Sequence, residues 1–272
     1  MTQRLAVRKT YKLYIGGAFV RSESGRHDPV YDGEGTHVAN ITRASRKDVR
    51  DAVKAARKAQ PGWAGKTAYN RGQVLYRAAE ALESRSAEFD FAQVSEAVDV
   101  LVHYAGWTDK IPAVLGGVNP VAAPFLSFSV PEPTGVVGVV APEESELLGL
   151  IGAIAPALAA GNTVVAICSE AKPLPGLDLG EVLAVSDVPG GVVNLLAGRR
   201  SELAPSLAAH RDLNAIVDAT GDRELAVELD TLAAETVKRV LRVPLDADPR
   251  GDALRRLEAL TELKTAWHPV GA

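Results

Sequence analysis

Three groups of residues carry functional groups with catalytic or ligand-binding chemistry. Cys168 is the one cysteine. A reactive thiolate needs an electropositive neighbourhood, yet Cys168 follows the apolar run Thr163 to Ile167 and has Glu170 close by. It reads as a small buried hydrophobe. Glu143, Glu144 and Glu146 place three carboxylates within four residues. Such a cluster can suggest a divalent ion, but it reads better as a solvated loop whose acids suit the N-terminus of a helix starting at Leu147. The five histidines, His27, His37, His103, His210 and His268, include no pair at metal-ligand spacing, so no metal is expected.

Composition narrows the class of protein. The chain has 272 residues, 47% hydrophobic and 24% charged, close to globular averages and long enough to bury a sizeable core. The formal net charge is -4. The pairs Arg199-Arg200 and Arg255-Arg256 are too short to be basic patches, so no nucleic-acid partner is expected. One cysteine allows no intramolecular disulfide, which suits a reducing compartment. Met1 to Lys12 lacks the apolar core of a signal peptide. The most apolar stretch, Leu147 to Ala160, is too short to span a bilayer. These features predict a cytoplasmic protein without membrane contact.

The elements that position these residues follow from periodicity. Lys12 to Val20 reads as a hairpin turning on Gly16-Gly17, and a second β segment runs from Val30 to Asn40, interrupted by Asp32-Gly33 and Gly35. Ser45 and Asp48 cap a helix carrying Val49, Ala52, Val53, Ala56 and Ala59 on one face. Pro61-Gly62 is expected to end it. Further helices are predicted over Tyr69 to Ala87 and Ala92 to Tyr104. Ile111 to Pro133 reads as an extended crossing segment with a hairpin at Phe125 to Val130. From Gly135, apolar runs (Val136 to Val140, Thr163 to Ile167, Gly191 to Leu196, Asn214 to Val217) alternate with helices (Leu147 to Ala160, Leu177 to Val185, Glu202 to Ala209, Asp222 to Ala234). That pattern predicts an α/β fold, a Rossmann-like parallel sheet with flanking helices and ligands at its strand ends. Leu254, Leu257, Leu260 and Leu263 suggest one amphipathic helix from Asp248 to Trp267. The expected organisation is an N-terminal hairpin, helices and crossing segment (1–134), a Rossmann-like βαβ unit (135–245) and a C-terminal amphipathic helix and tail (246–272).

Several ordered motifs resemble the cofactor domain of the NAD(P)-dependent aldehyde dehydrogenase superfamily. They are Pro133-Thr134-Gly135-Val136-Val137-Gly138-Val139-Val140-Ala141-Pro142, Ile154 to Val165, Ser169-Glu170 and Pro189 to Asn194. The front of the chain agrees, with Leu13 to Gly17, Val53 to Ala59, Trp63 and Tyr104 to Trp107. The resemblance covers roughly residues 10 to 243 and implies an NAD or NADP site across the strand ends. The cofactor-binding residues it implies are Val140, Ala141, Pro142, Ser169, Glu170 and Gly198. Glu170 would accept hydrogen bonds from ribose hydroxyls.

The departures from the family pattern bear on function. Ile167 stands where the family has a ribose-binding lysine. Glu144 stands where an asparagine amide helps hold the oxyanion, a donor worth about 3 kcal/mol of barrier. An ionised carboxylate only accepts hydrogen bonds. Asp218 to Gly221 replaces a Gly-Ser turn, and the general-base position falls near Val243. Beyond it the likeness ends, and no catalytic residue is assigned. The resemblance therefore implies a family member lacking the catalytic cysteine, acting as a non-catalytic partner or structural subunit through an intact aldehyde dehydrogenase paralogue or self-association. Two alternatives stay open: an NAD(P)-binding module, and an oxidoreductase active only within a complex.

Overall fold

In the computed structural model the described residues are 7–89 and 93–270. Short strands come first: β1 (Thr10–Tyr11), β2 (Leu13–Ile15), β3 (Ala18–Val20), β4 (His27–Tyr31) and β5 (His37–Thr42). Helices α1 (Arg46–Ala64), α2 (Ala68–Ser84), α3 (Val94–Ala105) and α4 (Ile111–Leu115) follow, then β6 (Gly117–Asn119) and β7 (Phe125–Pro133). The alternating part is β8 (Val136–Val140), α5 (Leu148–Ala159), β9 (Thr163–Ile167), α6 (Leu174–Val185), β10 (Val193–Leu196), α7 (Arg200–Ala208), β11 (Ala215–Asp218), α8 (Arg223–Ala234) and β12 (Arg239–Arg242). The last elements are α9 (Ala253–Ala259) and β13 (Thr261–Pro269).

The central sheet runs in the order β12-β11-β8-β9-β10-β2-β3. Its first five strands are parallel. The β2–β3 hairpin adds antiparallel to β10. Gly16 and Gly17 have φ of 65° and 83°, as this tight turn requires. Strand alternation sorts the core into two layers. Val137, Val139, Val164 and Ala166 pack with α2, α3 and α5, whereas Val136, Val140, Val165 and Ile167 pack with α1 and α7. A parallel sheet covered on both faces is why these strands are apolar throughout. The chain moves from β8 to β9 and β10, then returns to place β11 on the other side of β8. The switch point therefore lies between β8 and β11.

The structure corrects four local expectations. Pro61-Gly62 does not end α1, which continues to Ala64. Trp63 is buried and its indole N–H donates to Leu158 O at 3.1 Å, so tertiary contact holds the last turn. Val30 to Asn40 is two antiparallel strands, because Asp32 caps a turn by accepting from Glu34 and Thr36 N–H groups. Phe125 to Val130 is not a hairpin but part of the single strand β7, with β6 on one side and β13 on the other. Asp248 to Trp267 is not one helix: α9 ends at Ala259, and β13 pairs with β7 from Thr261↔Pro133 to Pro269↔Phe125. Of the four leucines only Leu257 and Leu260 are buried, while Leu263 is 59% exposed. A helix continued past Leu260 would forgo the long ladder that β7 supplies. The expected helix start at Ala92 lies outside the described residues. Among the described residues no helix is long and apolar enough to cross a membrane.

Candidate cofactor groove at the strand ends

An open parallel sheet holds ligands at the carboxyl ends of its strands, and the sequence-predicted residues sit there. Val140 ends β8, opposite Ile167 on β9 and Asp218 on β11. The Ala141 N–H donates to Ile167 O at 3.0 Å, and Pro142 is buried beyond it. Ser169 and Glu170 leave β9. Gly198 leaves β10 with φ 153°, packed so closely on Ala44 that a Cβ would lie 3.2 Å from its nitrogen. Ile167 is fully buried in the core beneath the groove.

Glu143 and Arg200 decide what this groove presents. The Glu143 carboxylate accepts from Ser169 Oγ at 2.5 Å, from the Ala171 N–H at 2.9 Å and from the Glu170 N–H at 3.3 Å. It also pairs with the Arg200 guanidinium at 2.6 Å. The same guanidinium donates to Ala141 O at 2.6 Å, and the Arg200 backbone N–H donates to Glu170 Oε2 at 2.7 Å. Burial pushes the Glu143 carboxyl pKa up, but the Ser169, Ala171 and Arg200 contacts outweigh it and hold the pKa below the usual carboxylate value. Glu143 is thus not part of a solvated acidic loop. Its carboxylate is held by the donors that follow β9 and by Arg200. Glu144 is exposed, and Glu146 lies 3.7 Å from Lys172.

Sequence reasoning missed Arg200, which reads there only as half of a surface arginine pair. One signal was available. A cation at the first position of a helix opposes the helix dipole, so Arg200 must be held by something outside α7. That partner is Glu143.

The implied cofactor is tested against these contacts. A dinucleotide crossing the strand ends would meet the Ala141 carbonyl, the Ser169 hydroxyl, the amides of Glu170 and Ala171, and the Glu170 carboxylate. Each makes a contact within the chain, the exposed Glu170 carboxylate through Oε2 only, and the Arg200 side chain lies across the others. With the Arg200 side chain on Ala141 O and Glu143, these residues do not fit a nucleotide across the ends of β8 and β9. Beside it, an open cleft of about 390 Å³ runs between the β4–β5 hairpin and the strand ends, lined among others by Asp28, Tyr31, Glu170, Gly198 and Arg199.

The remaining chemistry is internal. Cys168 is 1% exposed, and burial pushes its thiol up to about 12. A Cβ on Gly176 would lie 2.6 Å from its Sγ, so the thiol fills the space that this glycine leaves. Asp218 accepts from Thr220 N–H at 3.0 Å and Oγ1 at 2.7 Å, closing the turn before α8. Val243, near the expected general-base position, lines a small apolar cavity.

A doubly covered parallel sheet with a groove across its strand ends defines a dinucleotide-binding class of α/β fold. Comparison with known proteins narrows it. A family model described as "Aldehyde dehydrogenase family" matches residues 19–242, and the chain belongs to that family. It is 31% identical over 260 residues to the putative aldehyde dehydrogenase DhaS of Bacillus subtilis (strain 168), covering 88% of this chain and 52% of that protein. It is 33% identical to the 2-hydroxymuconic semialdehyde dehydrogenase of Pseudomonas sp. (strain CF600), covering 85% and 51%. Among solved structures, an NAD+ complex of an aldehyde dehydrogenase from Bacillus cereus superposes with a TM-score of 0.80 at 27% identity, covering 86% of this chain and 51% of that one. PnpE from Pseudomonas sp. WBC-3 gives 0.81 at 30%, covering 86% and 50%. The chain spans about half the length of the relatives it matches.

Proposed function

We propose that this chain is a non-catalytic member of the aldehyde dehydrogenase family that works by association, with itself or with an intact aldehyde dehydrogenase paralogue. The Glu143–Arg200 latch carries the reading, because it spends on internal contacts the groups that a dinucleotide needs. The buried, strongly protonated Cys168 supplies no nucleophile in its place.

The β6-β7-β13 sheet supports association. Cross-strand pairing puts Val118, Leu126, Phe128, Val130 and Ala266 on one face. Val118 is 73% exposed, and Leu126, Phe128 and Val130 are exposed as well. A contiguous apolar face of this kind marks an interaction surface. The nine residues of β13 also present an edge, and a long unpaired edge invites another strand.

Native mass measurement of the purified chain, alone and mixed with an intact aldehyde dehydrogenase, tests the proposal. The expected result is a dimer or larger species, or a mixed oligomer, dispersed by Phe128→Asp. A monomer in both conditions would overturn it. Calorimetric titration with NAD is expected to give no saturable heat up to about 1 mM. Aldehyde-dependent NADH formation lost in Cys168→Ala would overturn the non-catalytic assignment.

A further inference from the structure

The inner edge of β13 fixes what its outer edge presents. Among the described residues β13 pairs with β7 alone. Just beyond the two ends of that ladder, the Thr134 N–H donates to Leu260 O at 3.4 Å and the Val270 N–H donates to Pro124 O at 2.9 Å. Antiparallel residues alternate between pairs that exchange hydrogen bonds and pairs that do not. In this register Glu262, Lys264, Ala266 and His268 turn their backbone N–H and C=O groups toward β7. Pro131 and Pro133 agree, since they stand opposite Leu263 and Thr261, where no N–H is needed. The backbone groups of Leu263, Thr265 and Trp267 therefore point outward. Pro269 ends the run, because it has no N–H to offer.

That outward set is symmetric about Thr265. A second copy of the strand, antiparallel and related by a two-fold axis at Thr265, meets every one of these groups. Thr265 exchanges hydrogen bonds with its own counterpart, and Leu263 exchanges them with Trp267 of the second copy. The side chains fit the same register. Leu263 and Trp267 are each 59% exposed, and the axis sets them opposite one another twice. On the other face Glu262 meets His268 of the second copy and Lys264 meets its Ala266, so no like charges stand opposite each other. The exposed apolar face of Val118, Leu126, Phe128 and Val130 continues across the axis from one copy to the other. β13 lies outside residues 19–242, the part of the chain that matches the family.

We propose that two copies of this chain pair antiparallel through β13, joining their three-stranded sheets into one continuous sheet. This pairing rests on the association proposed above and commits it to a second copy and to one register.

Amide hydrogen exchange of the full chain, followed by NMR at rising protein concentration beside native mass measurement, tests it. The amides of Leu263, Thr265 and Trp267 should slow at least about tenfold as the dimer forms. Those of Lys264 and Ala266, bonded to β7 in either state, should keep their rates. Thr265→Pro removes the central outward N–H and leaves the bonds to β7 in place, since an edge strand accepts proline where its N–H faces solvent. It should raise the dimer Kd at least about tenfold. Thr265→Val keeps the amide but loses the hydroxyl contact with Ser129 at 2.8 Å, and should dimerise like the parent. If proline disturbs folding, the exchange pattern of the unaltered chain decides alone. A dimer with unchanged exchange at Leu263, Thr265 and Trp267, or one not weakened by a folded Thr265→Pro, would overturn the pairing and leave association standing. So would a chain that is monomeric alone yet joins an intact aldehyde dehydrogenase. A monomer in both conditions would remove both.

Discussion

Replacing Glu143 by glutamine keeps the shape of the latch and removes its charge, so it isolates the electrostatics of the groove. The side chains of Glu143 and Arg200 are 31% and 13% exposed, placing the pair between surface and interior. Exposed pairs contribute about 0–1 kcal/mol, and breaking a buried pair costs about 3–5 kcal/mol. The Glu143 carboxylate also accepts from Ser169 and Ala171, and hydrogen bonds to charged groups contribute about 1.5–3 kcal/mol each. Water reaches part of the site, so Glu143→Gln should cost about 2 kcal/mol, the middle of these ranges. Its coupling to Arg200→Gln in a double-mutant cycle should be about 1.5 kcal/mol. For a chain of 272 residues the unfolding entropy gives roughly 2 °C in midpoint per kcal/mol, so Glu143→Gln should melt about 4 °C lower. Because folding lowers the Glu143 pKa, its stabilisation is present above the ordinary carboxylate value and is lost as pH falls through the lowered one. The coupling should therefore be full at neutral pH and vanish in acid. Urea unfolding of the four proteins at neutral and acidic pH measures it. A coupling under about 0.5 kcal/mol at neutral pH, the level of an exposed pair, would refute the latch.

Other perturbations probe the frame that holds the groove. Cys168 should resist a thiol reagent at pH 8 in the folded chain and react at once in urea, since burial keeps it protonated to about pH 12; rapid native labelling would contradict its packing. Burial raises the Asp178 carboxyl to about 6, with Lys9 at 3.9 Å pulling the other way. Its ionisation costs stability as pH rises toward 6, so Asp178→Asn should stabilise at pH 7 by about 1–2 kcal/mol and change nothing at pH 3, as read by denaturant midpoints. Asn162 is fully buried, accepts from Gly135 N–H at 2.7 Å and donates to Leu260 O at 2.9 Å. Asn162→Ala strands the Gly135 N–H and leaves Leu260 O only the Thr134 N–H at 3.4 Å, so it should cost about 2–3 kcal/mol, measurable by urea unfolding, because it loosens β8 from the start of β13.

Much of the fold was legible along the chain. The runs at Val136 to Val140 and Thr163 to Ile167 match β8 and β9 residue for residue, since a strand buried on both faces must be apolar throughout. Gly16-Gly17 and the Ser45–Asp48 cap were equally plain, because turn and cap chemistry is local; Asp48 Oδ2 accepts from both the backbone N–H and the hydroxyl of Ser45. The six residues that the resemblance implies also lie at the strand ends, in the order of their motifs.

Local pattern could not say what those residues face. Arg256 looks like any helix-surface arginine until Pro156 frees the Gly152 carbonyl, 104 positions away in the chain. The leucines of the tail fit a helix as well as a strand, and only the ladder offered by β7 decides between them. The closed groove is a similar case, since Glu143 and Arg200 leave different strands and meet only when β8 lies beside β9 and β9 beside β10. The sequence by itself determined four parallel strands of the central sheet, the helices that cover them and the family, but not the edge strand β12 or the docking of the β2–β3 hairpin. Tertiary structure alone decided which carboxylate fills the groove and where the last strand goes, because an ion pair and a β ladder are set by distance in space and leave no period in the chain.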